Sequence, residues 1–176
     1  AAVVAGDQTL SYAQLNSRAN QLARFLRSLG VGAETLVGLM LERSPELIIG
    51  ILAALKAGGA YLPLDPDYPN ERIEYMLSDS GATVLITDSR LADRIKTGAA
   101  PVVLLDVSQE VIDSYSIENL ALPRSPNSMV YMIYTSGSTG LPKGVIVEDV
   151  GLANLVHAMR EITGWGPEDR VIQFSA

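Results

Sequence analysis

The chain contains no cysteine, which excludes disulfides, zinc–thiolate sites and cysteine nucleophiles. Histidine is almost as scarce. The only one, His157, lies in a helical pattern that suits surface exposure or packing rather than catalysis. Basic residues are in deficit, 13 against 20 acidic ones, for a net charge of −7 and a pI near 4.6. That balance argues against nucleic acid and anionic membranes as partners. It leaves room for a small anionic ligand, which feels only its local site. Long apolar runs are missing too: the longest, residues 47–55, is stopped by Lys56 and is too short to span a bilayer. Ala1-Ala2-Val3-Val4 lacks the basic flank of a signal peptide. The expected setting is the cytoplasm.

Hydrophobic residues make up 48% of the 176 residues and charged ones 19%, an ordinary globular balance that leaves enough apolar material for a sizeable core. The first residue is not Met, and residues 171–176 read as a strand with no turn after it. A piece of a longer protein is therefore expected. No repeat, low-complexity tract or linker divides the chain.

Two short apolar pieces, residues 2–5 and 9–11, flank a Gly6-Asp7 turn signal. Ser11 and Gln14 form a capping box ahead of a helix whose apolar face is Leu15, Ala19, Leu22, Leu26 and Leu29, ended by Gly30 and Gly32. Residues 35–41 read as a buried strand. Ser44-Pro45 starts a second helix, apolar nearly all round and so expected to be buried. Residues 61–66 are extended, and their two prolines forbid a central strand. A helix over 70–80 points Ile73, Met76 and Leu77 inward, with Gly81 after it. Then come a strand at 83–87, a helix at 89–96, a strand at 102–107, a helical turn at 111–115 and a surface connection at 118–128. Strands at 129–134 and 144–147 and a helix at 152–161 complete the order. This alternation predicts an α/β fold, a largely parallel sheet with flanking helices. Ligands in such sheets bind at loops beyond the carboxyl ends of the strands.

The segment richest in chemistry is Tyr134-Thr135-Ser136-Gly137-Ser138-Thr139-Gly140-Leu141-Pro142-Lys143-Gly144. Its glycines permit backbone N–H groups to converge on one concavity. The hydroxyls of Thr135, Ser136, Ser138 and Thr139 add rotatable donors, and Lys143 adds a point charge. Such a set suits a polyphosphate. It is neither a Walker A loop nor G-x-G-x-x-G, and it contains no nucleophile elbow. A Gly/Ser-rich surface turn is the bland alternative, but this order of residue types should arise by chance on the order of once in a billion positions.

The loop resembles the phosphate-binding signature of adenylate-forming enzymes. The segment Leu55-Lys56-Ala57-Gly58-Gly59-Ala60-Tyr61-Leu62-Pro63-Leu64-Asp65-Pro66 resembles the second core motif of nonribosomal peptide synthetase adenylation domains, and Thr9-Leu10-Ser11-Tyr12-Ala13-Gln14-Leu15 the first. The likeness runs end to end. It implies that residues 1–176 are the N-terminal part of an adenylation (AMP-binding) domain, with the pocket residues, hinge and small C-terminal domain following. It implies an amino-acid substrate, ATP and Mg²⁺. It further implies carrier and condensation domains as partners, with a phosphopantetheine thiol receiving the aminoacyl group. It gives Thr135, Ser136, Gly137, Ser138, Thr139, Gly140 and Lys143 the task of holding the β- and γ-phosphates. Where the family commonly has a histidine after the next strand, this chain has Asp149, which is expected to cap the following helix. A stand-alone acyl- or aryl-acid ligase and a non-catalytic phosphate-binding subdomain are the alternatives.

Other residues have simpler readings. Asp65, Asp67, Glu71 and Glu74 could be a metal set, but their prolines and helix-start placement favour capping and solvation. Trp165, between two glycines, reads as a packing anchor. Tyr131 and Tyr134 should face opposite sides of a strand, and Tyr61 and Pro63 read as structural.

Overall fold

The structure, a computed structural model, describes residues 1–96, 98, 100–136 and 141–173. Strands β1 (Val3–Ala5) and β2 (Gln8–Leu10) form an antiparallel hairpin. Helix α1 (Tyr12–Ser28) follows, then β3 (Leu36–Leu39), α2 (Pro45–Lys56), β4 (Ala60–Pro63) and α3 (Asn70–Ser80). Next are β5 (Val84–Thr87), α4 (Ser89–Ala92), β6 (Val102–Leu104), α5 (Leu105–Asp113) and β7 (Met129–Thr135). Strand β8 (Lys143–Glu148) and helix α6 (Asp149–Thr163) come last.

Among the described residues, β3 to β8 form a six-stranded sheet in the order β6-β5-β3-β4-β7-β8. All its pairs are parallel except β7–β8. The expected α/β fold with a largely parallel sheet is thus present. Alternating side chains cover both faces. Val37, Leu39, Val84, Ile86 and Val103 pack under α1, α2 and α5 with Leu22, Leu26, Ile49, Ala53 and Ile112. Leu62, Leu64 and Leu85 pack on the other face with Ile73, Met76, Leu77 and Leu91 of α3 and α4. Strands buried on both faces are apolar at nearly every position, which is why β3 and residues 84–86 of β5 read as hydrophobic runs.

The helix starts follow their caps. Ser11 and Gln14 make both bonds of the capping box, and Ser44 accepts from the Leu47 N–H. Gly81 ends α3 at φ 64°, a left-handed conformation that glycine adopts without penalty.

Three expectations are corrected. Strand β4 is central, not excluded by its prolines. Ala60 and Leu64 donate to Thr35 and Leu39 of the β3 side, so position 63 has its nitrogen toward β7. Pairing with β7 is registered only at Tyr61 and Tyr131, so the ladder is interrupted on the side that Pro63 faces while the β3 side stays continuous. Residues 105–107 are the first turn of α5 rather than strand, because pairing with β5 ends at Thr87 and Leu104. Asp149 does not cap α6. It is the first helical residue, Glu148 holds the cap position, and the first N–H groups are met by the Ser128 and Pro126 carbonyls.

The last two elements differ from the rest. Among the described residues α6 buries none of its side chains, and Val145, Ile146, Leu155, Val156 and Ile162 are exposed. No helix among the described residues is long and apolar enough to cross a membrane.

Candidate functional site

The hydroxyl-rich segment joins β7 to β8 at the carboxyl end of the parallel sheet. Thr135 lies directly opposite Lys143, and Tyr134 opposite Gly144. The antiparallel register therefore brings the first hydroxyl and the ammonium-bearing residue together across the base of the loop. Thr135, Ser136 and Lys143 are all exposed. Gly137, Ser138, Thr139 and Gly140 lie outside the described residues.

Glycine at 144 leaves room for the side chains of β7 that pack against it. A Cβ there would lie 2.8 Å from Met132 Sδ and 3.3 Å from Tyr134 Cζ. Tyr134 is only 7% exposed, and its hydroxyl donates to Asp79 Oδ2 at 2.6 Å, with the Met76 carbonyl a weaker alternative at 3.4 Å. Burial, then that bond, pushes its phenol far above the ordinary tyrosine range. It stays protonated as a donor. On the other stem, the Tyr75 hydroxyl donates to the Pro142 carbonyl at 3.4 Å. As expected, Tyr131 turns to the opposite face of β7 and stacks at 5.5 Å on Tyr61, whose phenol burial also raises. A cavity of about 410 Å³ opens beside Tyr134, lined by Leu39, Pro63, Leu64, Asp65 and Tyr68 at the carboxyl ends of β3, β4 and β7.

A second cluster anchors the other ends of these strands. Arg124 donates to Asp149 at 2.6 Å, to the Met129 carbonyl at 2.6 Å and to the Gly59 carbonyl at 3.1 Å. The acidic residues 65, 67, 71 and 74 are expected to cap a helix or face solvent, but no side chain caps α3. Asp65 accepts from the Asp67 N–H, Glu74 from the Lys96 N–H, and Glu71 stands in the first turn of α3. Among the described residues no group of His, Asp or Glu could hold a metal ion. His157 is exposed on α6. Trp165 is 42% exposed and is not the packing anchor its flanking glycines suggested. Sequence reasoning missed Tyr75, Asp79 and Arg124. The i, i+4 spacing of Tyr75 and Asp79 was the one available signal.

A model of the AMP-binding enzyme family matches residues 1–176. The chain belongs to that family. It is 45% identical over 174 residues to tyrocidine synthase 3 of Brevibacillus parabrevis, covering 98% of this chain and 3% of that one. It is 48% identical over 176 residues to bacitracin synthase 3 of Bacillus licheniformis, covering 99% and 3%. The crystal structure of the nonribosomal peptide synthetase FmoA3 with AMPPNP bound aligns at a TM-score of 0.89 and 35% identity, covering 99% of this chain and 18% of that one. The AMP-binding chain described here thus spans a small part of the proteins it matches.

Proposed function

We propose that the chain is the N-terminal part of a nonribosomal peptide synthetase adenylation domain and supplies its phosphate-binding loop. The observation that carries this reading is the β7–β8 hairpin, which sets Thr135 against Lys143 at the carboxyl end of the parallel sheet. The end-to-end similarity to named peptide synthetases supports it.

In this reading an amino-acid carboxylate oxygen attacks the α-phosphorus of ATP. The bond to the bridging oxygen breaks, and pyrophosphate leaves with its electron pair. The aminoacyl group then passes to the phosphopantetheine thiol of a carrier domain, within an assembly line that also holds condensation domains. Thr135, Ser136, Gly137, Ser138, Thr139 and Gly140 donate to the β- and γ-phosphates, and Lys143 sets a positive charge against the departing oxygens. Donors fixed where charge develops stabilise the transition state more than the ground state. Mg²⁺ would arrive with the nucleotide; no described residue is assigned to hold it, and no step is routed through it. The setting is cytoplasmic.

The test is amino-acid-dependent exchange of pyrophosphate into ATP by the intact synthetase. Lys143→Ala should slow exchange about a hundredfold, or roughly 3 kcal/mol, with little loss of folding stability. Exchange at the parental rate would remove Lys143 from the site. Absence of exchange with any amino acid in the parent would defeat the reading itself.

A further inference from the structure

Helix α3 contacts the hairpin at both stems of the loop. Tyr75 and Asp79 are one helical turn apart and so share a face. Asp79 accepts from the Tyr134 hydroxyl at 2.6 Å, one residue before Thr135. Tyr75 donates to Pro142, one residue before Lys143. The two rings meet nearly edge-on, with centroids 6.4 Å apart and planes at 76°. Gly144 packs against the same ring: a Cβ there would lie 3.3 Å from Tyr134 Cζ.

Core packing alone does not call for this polar link. Asp79 is exposed, and an exposed carboxylate is well solvated without a partner. A phenylalanine at 134 would fill the same space against α3. What the hydroxyl–carboxylate bond adds is a fixed position for the residue that leads into the loop. Charge-assisted bonds are short and directional, and donors to a reacting group lose much of their effect when misplaced by an ångström.

We infer that Asp79 is a positioning residue that holds the Tyr134 stem of the phosphate loop in the geometry that receives the nucleotide's phosphates. This rests on the reading of the loop given above. Asp79 acts through Tyr134 and sets where Thr135 stands.

The experiment uses the intact adenylation domain and two readouts, exchange kinetics and calorimetric binding of AMPPNP. Tyr134→Phe should lower kcat/KM for ATP about tenfold, the effect of losing one charge-assisted bond, and weaken AMPPNP to a similar degree. KM for the amino acid should stay within about twofold, because the change is confined to the phosphate end. Asp79→Ala should match it, and the double variant should be no worse than either alone. Asp79→Asn, which keeps an acceptor oxygen, should recover most of the loss.

Parental ATP parameters in folded Tyr134→Phe and Asp79→Ala would overturn the inference. So would variants whose thermal stability falls while the folded fraction keeps parental AMPPNP affinity, since that is the mark of a merely structural contact. If the parent binds AMPPNP but shows no exchange, the proposed reaction fails and the binding series alone decides the positioning role. A parent that binds no AMPPNP overturns both.

Discussion

Arg124→Ala should be strongly destabilising for a change at a partly exposed side chain, and the reason is its carbonyls rather than its ion pair. The guanidinium spans three elements. It reaches Gly59 at the entry to β4, Met129 at the start of β7 and Asp149 at the start of α6. Gly59 and Met129 are both buried, so water reaches their oxygens poorly once the arginine is gone. Each buried acceptor left unmet costs about 1–2 kcal/mol. The Asp149 carboxylate is 35% exposed and the arginine 23%, so solvent screens that pair and it contributes at most about 1 kcal/mol. The expected loss for Arg124→Ala is therefore about 3 kcal/mol, against no more than about 1 kcal/mol for Asp149→Ala. Arg124→Lys should fall nearer to alanine than to the parent, because one ammonium cannot serve acceptors lying in three directions. Urea unfolding of the purified protein, compared at its midpoints, reads all three variants. The reasoning is refuted if Asp149→Ala destabilises as much as Arg124→Ala, or if high salt removes most of the arginine's effect.

Gly144→Ala should cost about 1–2 kcal/mol by thermal unfolding; the flexible end of Met132 can retreat from the new methyl, but the Tyr134 ring is held by Asp79, and parental stability would show that the hairpin is looser than described. Gly38→Ala in β3 should cost about 1–3 kcal/mol, since its Cβ would sit 3.1 Å from both Leu77 Cδ2 and Leu85 Cδ1 in a packed interior; a neutral result would mean those leucines repack freely. The Ser89 hydroxyl and N–H hold the Asp106 carboxyl below the usual carboxylate range, against a smaller opposing desolvation. A depressed folded-state value means its contribution is present above the unfolded pKa of about 4 and fades as pH falls through the lower folded value. Ser89→Ala should raise the Asp106 titration midpoint in an NMR pH series, and an unmoved midpoint would dismiss the contact.

The elements that could be read from the sequence are those whose causes are local. The α1 capping box is complete within Ser11–Gln14, and both its bonds form. The start of α2 follows from Ser44-Pro45 and the end of α3 from Gly81. The elements that could not be read depend on what lies beside them. Whether a proline breaks a strand turns on which neighbour its nitrogen faces, and nothing near Pro63 in sequence says that its nitrogen faces β7 rather than β3. The apolar run at 102–107 fits a strand or a buried helix turn equally, and the reach of β5 decides between them. Asp149 has the side chain of a good cap, but Ser128 and Pro126 already serve the first N–H groups of α6, which frees the carboxylate for Arg124.

The same division runs through the candidate site. The order of hydroxyls, glycines and lysine between Tyr134 and Gly144 announces a phosphate loop because each residue type has its own use there, whatever the rest of the chain does. Such a loop is still a poor binder if its donors wander, since each must then be ordered when the ligand arrives. The parts that hold its stems come from α3, with 55 residues separating Asp79 from Tyr134 and 67 separating Tyr75 from Pro142. No local pattern links partners that distant. The i, i+4 spacing of Tyr75 and Asp79 is common to any helix face and acquires meaning only when the sheet order sets α3 beside β7. Chemistry in this chain is thus written in one short segment, while the precision of that chemistry is written in a helix that the segment never mentions.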